Sequence, residues 1–254
     1  VTTGNSYTVA TALQGIKKAA ELLEVDLSNA NLAILGANGS IGKACARILA
    51  KEVKELTLIG RRLPALDEVA RLISQESQVT VITTLDTQAA LQRADVVVTV
   101  TSAVDTIIEP EDLKSGAIVC DVARPRDVSK RVAEARDDVF VFEGGVVKVP
   151  GSVEFGFNFG FPAGTSYACM AETMILALEG RYQSFTLGRE ITVDQITEMA
   201  SLAQKHGFSL AGLRSFDRAV TDEEIRAFQK KIKCKRPSCA AVSSVTGKGQ
   251  ADSA

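Results

Sequence analysis

The sequence predicts an α/β fold, a doubly wound parallel sheet flanked by N- and C-terminal helices, and three observations carry that prediction. Short apolar runs of strand length alternate with stretches of helical periodicity between residues 32 and 142. These runs are apolar on both faces, as strands covered by helices on each side must be. The first of them, Leu-Ala-Ile-Leu at 32–35, opens directly into Gly36-Ala-Asn-Gly-Ser-Ile-Gly42, a glycine-spaced turn followed by helix formers.

The first helix is expected to run from near the N-terminus to Glu24. Val9, Leu13, Ile16, Ala20 and Leu23 recur at helical spacing, and Thr3, Asn5 and Ser6 suit its capping. Residues 26–31 link it to the first strand. Helices are then expected at 43–50, 65–74 and 87–93, and strands at 56–59, 79–82, 96–101, 117–121 and 139–142. Residues 143–164 are glycine-rich and then aromatic. An apolar helix at 166–181, an amphipathic one at 192–206 and a charged one at 221–232 follow. The expected organisation is a substrate-side helix at 1–25, a dinucleotide-binding domain at 26–165, a helical segment at 166–232 and a disordered tail at 233–254 rich in Ser, Gly, Lys and Ala. Because the chain opens on Val1, a preceding native segment is expected. There is no internal repeat.

In the glycine turn, Gly36 takes the tight bend, Gly39 lets backbone approach a pyrophosphate and Gly42 lets the new helix pack closely. Asn38, Ser40 and Ile41 complete the loop, and the free N–H groups and positive dipole end of the helix face the phosphates. The second strand ends in Gly60-Arg61-Arg62, where ribose selectivity is set. A carboxylate there binds the 2′-hydroxyl of NAD, whereas arginine forks onto the 2′-phosphate of NADP. NADP(H) is therefore the expected cofactor, against the plainer reading of a solvated basic turn. Beyond later strands, Thr101 and Ser102 are placed beside the nicotinamide or simply end a strand. In Asp121-Val-Ala-Arg-Pro-Arg-Asp, the backbone of Val122 and Ala123 is placed to meet the carboxamide. Gly144, in Glu143-Gly-Gly, permits close approach of a flat ring.

Cys169, in Gly-Thr-Ser-Tyr-Ala-Cys-Met-Ala-Glu, lies near a helix start, where the dipole favours a thiolate able to carry an acyl group as a thioester. An inert core cysteine is the alternative. Glu172, within one turn, is read either as a group that tunes the thiol or donates a proton, or as a solvated helix position. Phe155, Phe157, Phe159 and Phe161 alternate with smaller residues, so an extended chain would put their rings on one face. That face suits an alkyl chain, for which Phe157 and Phe159 are the candidates, and equally suits a core. His206 is read as structural or as a helix cap rather than an acid.

The composition is 46% hydrophobic and 24% charged with a net charge of −2, which asks for neither nucleic acid nor membrane as partner. No apolar run reaches the roughly 20 residues of a membrane span, and no signal peptide opens the chain, so a cytoplasmic location is expected. Five scattered cysteines and a lone histidine argue for reduced thiols and no metal.

Thr2-Thr-Gly-Asn-Ser-Tyr-Thr, Gly36-Ala-Asn-Gly-Ser-Ile-Gly, Phe142-Glu-Gly-Gly-Val-Val, Tyr167-Ala-Cys-Met-Ala-Glu-Thr-Met and the stretch from Ile191-Thr-Val-Asp to Lys205-His-Gly-Phe resemble the cyanobacterial long-chain fatty acyl-[acyl-carrier-protein] reductases. The loop beginning Cys120-Asp-Val-Ala-Arg-Pro-Arg-Asp looks like that of glutamyl-tRNA reductases. The resemblance implies NADPH-dependent reduction of a long-chain acyl thioester, on acyl carrier protein or CoA, to an aldehyde. Cys169 matches the nucleophile, and Thr3 and Asn5 are expected to position the carbonyl. An oligomer is compatible with it. A shikimate-dehydrogenase-like alcohol oxidation, using a lysine and aspartate pair, and a non-catalytic NADP-sensing module are the alternatives.

If Arg61 and Arg62 read the 2′-phosphate, NADPH binds more tightly than NADH by about 1.5 to 3 kcal/mol, the worth of a charge-assisted pair. Titration of both cofactors should show that difference. Replacing both arginines with alanine should erase it while sparing NADH; equal affinities in the unmodified protein would refute the assignment.

Overall fold

The computed structural model describes residues 1–102, 108–156 and 161–235. Helix α1 (Asn5–Leu22) leads to β1 (Asn31–Leu35), α2 (Ser40–Leu49), β2 (Glu55–Ile59), α3 (Leu63–Glu76), β3 (Thr80–Thr84), α4 (Thr87–Leu91) and β4 (Val96–Thr99). After it come β5 (Ile118–Asp121), α5 (Lys130–Ala135) and β6 (Phe140–Glu143). These six strands make one sheet in the order β3-β2-β1-β4-β5-β6, all neighbours parallel. The order reverses between β1 and β4, so a crevice opens beyond their carboxyl ends, the place where such sheets bind ligands.

Alternation along β1 shows why the runs had to be apolar throughout. Leu32 and Ile34 enter one core with Leu56, Leu58, Val96 and Val98, while Ala33 and Leu35 enter the opposite core with Ile59, Val97 and Val119. Each fully buried aliphatic side chain contributes on the order of 1.5 to 3 kcal/mol. Edge strand β3 is only partly covered, and its sequence is correspondingly threonine-rich.

The chain continues through β7 (Val146–Lys148), β8 (Thr165–Tyr167), α6 (Ala168–Leu178), α7 (Val193–Lys205), β9 (Ser209–Leu210), β10 (Arg214–Ser215), β11 (Arg218–Ala219) and α8 (Asp222–Lys235). Several boundaries differ from expectation. Helix α2 starts at Ser40, because Gly39 stands as its extended N-cap and the loop winds into the first turn. Residues 165–167 pair with β7 in a small antiparallel sheet β8-β7-β9, so α6 begins two residues later than expected. Helix α5 was not anticipated; Ser129 caps it by accepting the Arg131 N–H at 3.3 Å. Helix α8 takes in three residues assigned to the tail, and the tail beyond it lies outside the described residues.

Phe157 and Phe159 also lie outside the described residues. Phe155 packs partly buried against the main core, and Phe161 meets Tyr167 edge-on with centroids 4.8 Å apart. Among the described residues no helix is long and apolar enough to cross a membrane, and no group of three or more His, Cys, Asp or Glu side chains is placed to hold a metal.

Helix α1 lies across the first face of the sheet and also packs on α2, α6 and α7. Gly15 makes this possible: a Cβ there would stand 2.7 Å from the buried Phe142 ring. Alanine normally gains about 1 kcal/mol over glycine inside a helix, but overpacking a core costs about 1 to 3 kcal/mol. Gly15→Ala is therefore expected to lose stability in a urea melt, and a gain would show that the ring yields without cost.

Candidate active site

The glycine turn is held to the end of β2 by its own backbone. Gly36, in the left-handed region at φ 86°, and Ala37 both donate N–H to the Ile59 carbonyl, at 3.0 and 3.2 Å. A Cβ on Gly42 would lie 2.4 Å from the Gly36 carbonyl oxygen and 3.0 Å from Ala37 Cα, so only glycine lets α2 begin this close to the strand. The first turn of α2 has no side-chain cap, while Asn38 and Gly39 are exposed and Ser40 and Ile41 partly so. Open helix N–H groups beside a backbone without side chains form a cradle that fits a pyrophosphate. Arg61 and Arg62 are exposed directly after β2, and among the described residues neither has an ion-pair partner. Asn38 Oδ1 lies 3.1 Å from where a Cβ on Gly60 would stand, so the turn runs close beside the residue before the arginines.

Two buried aspartates shape the neighbouring loops. Asp127 accepts the Thr99 hydroxyl, the Thr101 N–H at 3.0 Å and the Thr101 hydroxyl at 2.5 Å. What Thr101 offers the cleft is thus position, its hydroxyl being engaged. Asp121 accepts the N–H of Ala123 at 3.0 Å and of Val128 at 3.1 Å. Val122 N–H bonds to the Thr99 carbonyl and Gly144 N–H to the Asp121 carbonyl, both at 2.9 Å. A Cβ at Gly144 would meet Val122 Cγ2 at 2.7 Å. Thr101, Val122, Ala123 and Gly144 are therefore gathered at one end of the sheet, with Ser102 exposed after Thr101. Burial pushes the Asp121 carboxyl up to about 6; the Val128 N–H and Arg124 act against that rise, Asp127 adds to it, and the Ala123 N–H opposes it.

Cys169 is the second residue of α6 and is exposed, whereas Cys45 and Cys120 are buried. Burial pushes the Cys45 thiol up to about 12 and Cys120 well above its ordinary value, which disfavours the thiolate at both. Gly4, at φ 75°, presses on Cys169, whose Cα and carbonyl oxygen each lie 2.4 Å from where a Cβ at Gly4 would stand. The next residue, Asn5, donates from Nδ2 to Ser40 Oγ at 3.1 Å. The start of α1 thus spans from the cysteine to the glycine turn. Thr3 is exposed, its N–H bound to the Thr186 carbonyl at 3.0 Å.

Two expectations about this helix start are corrected. The dipole was expected to favour a thiolate; the Cys169 thiol is instead pushed up, because desolvation outweighs the N–H groups of Met170 and of Cys169 itself. The Glu172 charge adds to the rise and Arg124 opposes it. Glu172 is not a solvated position: it is fully buried and accepts the Tyr7 N–H at 2.8 Å, the Thr186 hydroxyl at 2.7 Å and the Thr2 hydroxyl. A single carboxylate in the otherwise apolar run Ala-Cys-Met-Ala-Glu-Thr-Met-Ile-Leu was the available signal. Also unanticipated are Arg124, whose guanidinium lies 5.8 Å above the Tyr167 ring and 3.9 Å from Glu143, and Arg126, which forks onto Glu143 at 3.0 and 2.7 Å. His206 meets Glu179 at 2.7 Å at the end of α7, a structural contact.

The sequence model of the shikimate / quinate 5-dehydrogenase family matches residues 17–143. Aminotransferase PigE of Serratia sp. is 31% identical over 229 residues, which cover 89% of this chain and 27% of PigE. The long-chain acyl-[acyl-carrier-protein] reductase of Synechococcus elongatus is 29% identical over 215 residues, 82% of this chain and 61% of that enzyme. The chain thus spans about a quarter of the first relative's length and about three fifths of the second's. Among solved structures, glutamyl-tRNA reductase from Methanopyrus kandleri superposes with a TM-score of 0.44 at 18% identity, over 89% of this chain and 43% of its own. The fold is that of NAD(P)-dependent dehydrogenases and reductases, and the cofactor is NADP(H).

Asp121 makes stability depend on pH in an unusual direction. Its folded value of about 6 lies above the ordinary 3.8, so its contribution is complete below pH 4 and is lost as pH rises through 6. The loss amounts to about 3 kcal/mol. Asp121→Asn cannot ionise, so the stability gap between parent and variant should narrow by about that amount between pH 4 and 7 in denaturant titrations. A constant gap would show that Asp121 is ionised throughout.

Proposed function

The chain belongs to the shikimate / quinate 5-dehydrogenase family, and from that premise we propose that it reduces a long-chain fatty acyl thioester, carried on acyl carrier protein or CoA, to the aldehyde through a thioester on Cys169. One observation carries the reading: an exposed cysteine at a helix start, pressed against Gly4, one residue from the Asn5 that touches the dinucleotide turn. Similarity to a long-chain acyl-[acyl-carrier-protein] reductase supports the substrate class. In this reading residues 26–165 hold the cofactor, residues 1–25 and 166–232 form the substrate side, and Phe157 and Phe159 line the alkyl chain.

Gly36, Asn38, Gly39, Ser40 and Ile41 would hold the pyrophosphate of NADPH, Arg61 and Arg62 its 2′-phosphate, and Thr101, Val122, Ala123 and Gly144 would border its nicotinamide. Bound there, NADPH supplies a hydride. Sulfur of Cys169 attacks the acyl carbonyl; the new C–S bond forms as the bond to the carrier sulfur breaks, and the proton from Cys169 leaves with the carrier thiol. Because its surroundings keep Cys169 protonated at neutral pH, the attack and the proton transfer are coupled. After reduction of the acyl carbon, the C–S bond to Cys169 breaks, the aldehyde departs and the thiol is restored by a proton from solvent. Thr3 and Asn5 border the carbonyl.

Family membership favours a second reading, alcohol oxidation by an acid–base pair, and that chemistry has no need of a thiol.

Cys169→Ser should abolish aldehyde formation, since a hydroxyl without a paired base is a far poorer nucleophile, and should leave NADPH binding intact. A long-chain acyl-CoA, incubated with the chain in the absence of NADPH, should add an acyl mass to the peptide containing Cys169. Alkylation of Cys169 by iodoacetamide should keep rising beyond pH 9 rather than level off near neutrality. An adduct on Cys45 or Cys120, or full reductase activity in Cys169→Ser, would defeat the mechanism.

A further inference from the structure

Helix α1 begins without a side-chain cap, since its N-cap is Gly4. A first turn leaves N–H groups without helical partners, and burying one of them unpaired is costly. The Tyr7 N–H is rescued from another helix, by the Glu172 carboxylate of α6 at 2.8 Å. That carboxylate is fully buried and its other oxygen takes the hydroxyls of Thr2 and Thr186, the second at 2.7 Å. It therefore joins the segment before α1, the first turn of α1 and the strand of coil after α6. Cys169 stands three residues earlier on the same helix, so the two side chains share one face. The helix start clamped in this way is the one whose Gly4 abuts Cys169 and whose Asn5 bonds to Ser40 of the phosphate turn.

Resting on the thioester reading above, we infer that Glu172 is the positioning residue of the reaction: by capping α1 from α6 it fixes Cys169 relative to the dinucleotide turn. It does not touch substrate, because all three of its bonds are spent inside the protein. Its effect on turnover is geometric, its charge beside the thiol reports that the two stay in register, and misplacement by about 1 Å can cost about 100-fold in rate. The phosphate turn is separately pinned to the Ile59 carbonyl, so cofactor affinity does not depend on the clamp.

Glu172→Ala and Glu172→Gln test this in the full chain with NADPH and a long-chain acyl-CoA. The alanine variant should lose about 100-fold in kcat with NADPH affinity unchanged. Glutamine should restore most of the rate, since its carbonyl oxygen can take the Tyr7 N–H while its NH2 group donates to the threonine hydroxyls. Iodoacetamide labelling of Cys169 adds a readout that a merely stabilising residue would not move. Glu172 and Arg124 are the charged groups acting on the thiol, and removing the first charge should displace the rate–pH curve of Glu172→Gln toward lower pH. If the alanine variant does not fold, the glutamine curve decides, and one coincident with the parent overturns the proposal. Parental turnover in Glu172→Ala, with Cys169→Ser inactive, overturns the Glu172 role alone. Full activity in Cys169→Ser instead overturns the thioester reading itself.

Discussion

The carbonyl oxygen of Gly36 leaves no room for a side chain on residue 42, and the site is built outward from that close approach. Because α2 can start against the end of β1, its N–H groups open onto the crevice where the strand order reverses. A bulkier pair would lift the helix from the sheet and bury its dipole end in protein rather than present it to a phosphate. The double-sided burial of β1 and β4 serves the same geometry, since strands fixed by two cores cannot shift register beneath the turn.

Buried carboxylates then do for the loops what the sheet does for the strands. Asp121, Asp127 and Glu172 each answer backbone N–H groups that no regular ladder reaches. Loops carry function but also carry unpaired backbone groups; each of these acidic side chains takes one or two backbone N–H groups, Asp127 and Glu172 adding threonine hydroxyls, and so fixes a loop in a single arrangement. The cost appears as upward pressure on the titration of Asp121 and, through Glu172, of Cys169.

The fold was legible where a local rule decided it. Glycine spacing, apolar runs and the alternation of periods placed all six strands of the main sheet and seven of the eight helices, because parallel strands and amphipathic helices each carry their own pattern. Ser166 and Tyr167 looked like a helix start because their pairing partner, β7, lies far back in the chain and leaves no local trace. Helix α5 is six residues long, too short for a period to show. In the candidate site, Gly36, Gly39, Arg61, Arg62, Asn5 and Cys169 were singled out from motif and resemblance. Glu172 was weighed as a tuning group or a solvated helix position, and its burial was not legible because it depends on Tyr7, Thr2 and Thr186 arriving from distant parts of the chain. The upward direction of the Cys169 thiol is likewise a property of packing that no helix position reveals alone.

One carbonyl, that of Ile59, accepts N–H from both Gly36 and Ala37 and stands one residue before the Gly60-Arg61-Arg62 corner. The phosphate turn and the arginines therefore belong to one preorganised template rather than to two loops that must find each other. In the proposed reading, a dinucleotide arriving here would pay little ordering entropy to have its pyrophosphate and its 2′-phosphate read together. If this corner reads the 2′-phosphate as proposed, discrimination between cofactors would be carried by how fast the wrong one leaves, not by how slowly the protein closes around the right one.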